Sequence, residues 1–101
     1  MIPGPLETVM LAVEYPQTIP PRMTVREWLR ALPSIRARAD TRREAYAFYY
    51  LSLGQAALGD YAQALDSCRR AVTLFRALRD TVMTDIVEIR VEELTQSVRE
   101  Q

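Results

Sequence analysis

From residue 61 onward, apolar side chains return at every third or fourth position. Tyr61, Ala64, Leu65, Cys68, Ala71, Val72, Phe75 and Leu78 form one stripe, and Asp66, Arg69, Arg70, Arg76 and Arg79 occupy the other side. This spacing predicts an amphipathic helix with one buried face. The preceding stretch, residues 45–59, carries no formal charge at any of its fifteen positions. A helix apolar on every side must be covered on every side. Gly59 suits a left-handed C-terminal cap, and Asp60 can open the next helix. A last helix is expected to begin near Thr81 or Thr84, with Asp85 and Glu88 close to its positive end. Its apolar residues form two rows, Val82–Ile86–Ile89 and Met83–Val87–Val91–Leu94–Val98. Together they are wider than one neighbouring helix requires.

The first third of the chain reads differently. All six prolines, Pro3, Pro5, Pro16, Pro20, Pro21 and Pro33, lie there. Proline lacks an amide donor and blocks helix interiors, so short elements and extended turns are expected up to residue 33, and long helices only beyond it. Leu6, Val9, Met10 and Val13 recur at helical spacing, and a strand over residues 8–13 competes with that helix. Residues 14–23 read as an extended linker. Thr24 and Glu27 form a capping box ahead of Val25, Trp28, Leu29 and Leu32, and Pro33 is expected to end that helix at Leu32. Trp28 is the expected anchor of this helix on the domain. Thr41 and Glu44 read as a second capping box, preceded by Asp40. Residues 34–39 are either a separate turn or an early start to that helix. The expected organisation is a Pro-rich segment with one or two short helices over residues 1–33, followed by a helical domain over residues 34–101.

Composition then narrows the chemistry. The chain has 101 residues, so it holds one domain at most. There is no His and a single Cys, which removes imidazole-based triads, haem ligation through His and Cys/His zinc sites. No enzyme activity, metal or cofactor is expected. The lone thiol Cys68 lies on a buried stripe with no base beside it, and Asp85, Glu88, Glu92 and Glu93 read as a solvated helix face. With no internal disulfide available, no run of 18 apolar residues and no secretory pattern in residues 1–13, a cytoplasmic protein without membrane spans is expected.

The thirteen acidic and thirteen basic residues cancel, yet they are unevenly placed. Residues 22–43 carry +5, from seven Arg against Glu27 and Asp40, and residues 80–101 carry −4. Acidic and basic ends can meet between two molecules or pair within one fold. Nucleic-acid binding through Arg22, Arg26, Arg30, Arg36, Arg38, Arg42 and Arg43 is the alternative reading, as a regulatory partner of a transcription factor or nucleic-acid machine. Only Trp28 accompanies those arginines as an aromatic, and no groove-reading motif is present.

Phe48, Leu51 and Ser52 on the uncharged helix, the turn Gly59-Asp60-Tyr61, and Ala64 and Ala71 on the next helix resemble one tetratricopeptide repeat, a helix pair of about 34 residues. Within the match, Gln55 stands where that family usually has a large apolar residue, and Cys68 where it often has Tyr or Phe. The resemblance implies an all-α array of antiparallel helix pairs or a small helical bundle. It also implies protein or peptide binding on a concave face lined by first helices. The positions it assigns to that face are Tyr46, Tyr49, Leu53, Ala56 and Ala57, with Tyr50 beside them, and an apolar helix or peptide is the expected ligand. The tyrosines are also readable as core rings with hydroxyls at the rim. Because such arrays need about three units for a self-sufficient core, either residues 1–33 or another chain must complete this one. Self-association through Ile86, Ile89, Val91, Leu94 and Val98, as a two-fold dimer, is the expected solution.

Overall fold

The computed structural model describes residues 24–101, so the elements expected over residues 6–13 and 14–23, and Arg22, lie outside the described residues. Four helices follow one another: α1 (Val25–Ala37), α2 (Thr41–Ala57), α3 (Tyr61–Ala77) and α4 (Thr81–Arg99). The described residues contain no strand, and the all-α bundle expected from the sequence is what forms.

Three turns of one design join the helices. Each places a residue with positive φ (Ala39, Gly59, Arg79) directly before an aspartate at the helix N-cap (Asp40, Asp60, Asp80). The Asp60 and Asp80 amides donate back to the Gln55 and Phe75 carbonyls, both at 3.0 Å, closing one helix as the same residue opens the next. Asp40 and Asp80 also accept from the Arg43 and Met83 amides through their side chains; Asp60 makes no such bond. Helix starts therefore recur every 20 residues, at 41, 61 and 81, so a helix pair here spans 40 residues.

Two local expectations change. The capping box of Thr24 and Glu27 forms. The second box does not: Asp40 is the N-cap, Thr41 is the first helical residue, and Glu44 pairs instead with Arg36 at 3.0 Å. Pro33 does not end α1, which continues to Ala37 and so crosses the boundary expected at residue 33. Both Pro33 and Leu29, whose carbonyl loses its amide partner, are exposed, so water can replace the missing donor. Continuing the helix buries Ile35 completely beside Trp28, Ala31 and Leu32. That burial is worth about 1.5–3 kcal/mol and offsets most of the proline's cost of about 3 kcal/mol.

The helices pack in chain order, each antiparallel to the next. Trp28 stacks on Tyr50 across α1 and α2, and Ser67 meets Gln55 across α2 and α3. Gly54 admits the start of α1, because a Cβ there would lie 3.3 Å from Val25 Cγ2. As the uncharged stretch predicts, α2 is buried on nearly all sides, from Ala45 to Phe48, at Tyr50 to Ser52 and at Gln55. Ala64 and Ala71 are fully buried on α3, as small residues at a close helix contact should be. α4 runs parallel to α2 and is tied to it at both ends, by Arg42 to Asp80 at 2.9 Å and by the Gln101 side chain to the Gly59 carbonyl.

Candidate functional site

The tyrosines expected in a binding groove belong largely to a chain of rings inside the bundle. Trp28 stacks on Tyr50 with centroids 5.6 Å apart, Tyr50 lies 6.3 Å from Tyr46, and Tyr46 meets Phe75 edge-on at 5.0 Å. Tyr46 and Tyr50 are buried, so they are core rings rather than open contacts. Tyr49, Leu53 and Ala56 are half-buried against the core, and Ala57 is exposed. Burial pushes the phenol pKa of all three tyrosines up; for Tyr49 the nearby Arg90 opposes that rise.

The residues expected at an oligomer contact divide. Ile86 and Ile89 are exposed, together with Val82. Leu94 is buried inside the single chain beside Val87, and Val91 and Val98 pack partly against the same core. The two apolar rows of α4 thus have different roles: one fastens α4 to α3, and the other faces outward.

A cleft of about 610 Å³ opens on the opposite side of α2 from Tyr46 and Leu53. At about 100° per residue, Phe48, Leu51 and Gln55 share this side of the helix and form the floor. Leu29, Leu32 and Pro33 of α1 make one wall, and Ala62, Gln63, Asp66 and Ser67 of α3 the other. The buried Ser67 hydroxyl donates to Gln55 Oε1 at 2.7 Å, which satisfies a polar side chain buried on an otherwise apolar helix. Arg36 and Arg70 reach over the Phe48 ring, their guanidinium carbons 5.3 and 5.6 Å from its centroid. Each also holds a carboxylate, Arg36 that of Glu44 and Arg70 that of Asp66. The result is a partly apolar trough whose Phe48 end is covered by two arginines, each already ion-paired within the chain. No single-helix periodicity reveals it, because its lining comes from three helices.

Other chemistry is sparse. Cys68 is fully buried, its thiol 3.6 Å from the Val87 carbonyl, and burial raises its pKa. Among the described residues no three His, Cys, Asp or Glu come together to hold a metal ion, and no helix is long and apolar enough to cross a membrane. Within the Arg-rich segment, Arg36 and Arg43 are paired with the nearby Glu44 and Asp40, and Arg42 with Asp80 at the start of α4. Comparison with known proteins finds no matching family model, curated protein or solved structure.

Proposed function

We propose that the chain is a non-catalytic protein–protein interaction module of the cytoplasm, an adaptor or assembly subunit of tetratricopeptide-like design. It takes an apolar helix or peptide segment and associates with itself. The observation that carries this reading is the trough of Leu29, Leu32, Phe48 and Leu51, with Arg36 and Arg70 over its Phe48 end and Leu29 51% exposed. An amphipathic helix inserting residues at i, i+4 and i+7 suits such a trough. The likeness to tetratricopeptide arrays is supported by the antiparallel α2–α3 pair and its buried alanines. The 40-residue pair departs from that family's period of about 34.

A photo-reactive residue placed at position 29 or at position 57, both exposed, tests this in native cells. The reading expects defined polypeptide adducts from position 29 and few from position 57. Adducts from 57 alone would return the binding face to the Tyr49 side, and adducts from neither would remove the adaptor reading.

A further inference from the structure

We propose that the trough of one copy receives α4 of another, so that the chain assembles head to tail. This deepens the self-association above and rests on that reading. The outward row of α4, Val82, Ile86 and Ile89, is 67%, 44% and 58% exposed, and its i, i+4, i+7 spacing covers about 10 Å of helix. Among the described residues nothing covers this apolar ridge on the last helix, and nothing covers the trough between the first and third, where Leu29 is exposed above the buried Leu32, Phe48 and Leu51.

Charge identifies the occupant. α4 carries net −2, from Asp85, Glu88, Glu92 and Glu93 against Arg90 and Arg99, and α1 carries net +2, from Arg26, Arg30 and Arg36 against Glu27. Asp85 and Glu92 flank the ridge on one side, are exposed, and make no ion pair among the described residues. Arg26 and Arg30 are also exposed, along the edge of α1 beside Leu29, and make no ion pair among the described residues. Placing α4 of one copy along the trough of the next joins ridge to groove and acid to base at once. A two-fold pairing of α4 with α4 would instead set a net-negative helix against its own charge and leave the trough empty. The ridge is only three partly exposed side chains, too few for the roughly 800 Å² per partner of a standard stable complex, so the contact is weak and transient. Because the two faces differ, the contact is heterologous and continues beyond a dimer unless a ring closes it.

Two exposed-site variants separate the halves: Ile86→Arg with Ile89→Arg spoils the ridge, and Leu29→Glu spoils the trough. Sedimentation velocity of the full chain between about 10 μM and about 1 mM spans the expected affinity range. Wild type should grow past two chains with concentration and shrink as salt rises from about 0.05 to about 0.5 M. Each variant alone should stay at 11.6 kDa with unchanged helical circular dichroism, and an equimolar mixture should reach twice that mass and no more. If wild type stays monomeric throughout, self-association itself is overturned. If the Leu29→Glu variant associates as wild type does, or the mixture fails to combine, the head-to-tail contact is overturned and self-association stands.

Discussion

Arg42 at the start of α2 donates to Asp80 at the N-cap of α4, Nη1 to Oδ2 at 2.9 Å, across 38 residues of chain. Asp80 simultaneously caps α4 by accepting from the Met83 amide at 3.0 Å. One carboxylate therefore starts the last helix and fixes it beside α2.

The Met83 amide, and after it Arg42, holds the Asp80 carboxyl below its ordinary value of 3.8. A depressed folded-state pKa contributes stability that is complete above the unfolded value and is lost as pH falls through the folded one. Urea unfolding should therefore show a loss of stability below pH 3.8 that is reduced in Asp80→Asn. Asparagine keeps the cap, so at pH 7 that variant should lose only the ion pair, about 0.2–1 kcal/mol. Asp80→Ala should lose the cap as well, about 0.5–2 kcal/mol more. Equal losses in the two variants would show that capping contributes nothing here.

The turns give a second prediction. Ala39 and Arg79 adopt φ of 53° and 57°, where a Cβ is strained and glycine is not. Ala39→Gly and Arg79→Gly should each raise stability by about 0.5–1 kcal/mol, and Gly59→Ala, at φ 82°, should lower it by about 1 kcal/mol. Thermal unfolding of the three variants reads this directly. A fall in stability for both glycine variants would mean that these turns are not left-handed in solution.

The two rows of α4 separate energetically. Leu94→Ala should cost about 2–5 kcal/mol because Leu94 is 2% exposed, whereas Ile89→Ala should change monomer stability by no more than about 0.5 kcal/mol. Chemical denaturation at low concentration distinguishes them, and similar costs would place Ile89 in the core.

Cys68 should resist thiol reagents in the native state at neutral pH, since burial both shields the sulfur and raises its pKa. A raised pKa contributes stability below the ordinary thiol value that is lost as pH rises through the folded one. Labelling with a chromogenic disulfide should be complete only in denaturant. Rapid native labelling would contradict the burial.

The sequence carried most of the local structure: Thr24 with Glu27, Gly59 at its left-handed turn, the stripe of α3, and an α2 greasy on all sides. It concealed the other two turns, because Ala39 and Arg79 take a glycine's conformation without glycine's signal, and the aspartates that follow at 20-residue intervals were the available clue. It also misplaced the end of α1, where burial of Ile35 offsets most of the proline penalty. Periodicity identified apolar faces but not what covers them. Tyr46 and Tyr50 went inward, Leu94 separated from Ile86 and Ile89, and the trough appeared only once three helices stood together.

The trough is tested most directly by methyl and aromatic NMR of the full chain titrated with a synthetic peptide of residues 80–101, whose α4 ridge carries Val82, Ile86 and Ile89. The account predicts shifts centred on the Leu29, Leu32 and Leu51 methyls and the Phe48 ring, with Leu53 and Tyr49 unmoved. Shifts centred on Leu53 and Tyr49, or none at millimolar peptide, would contradict it.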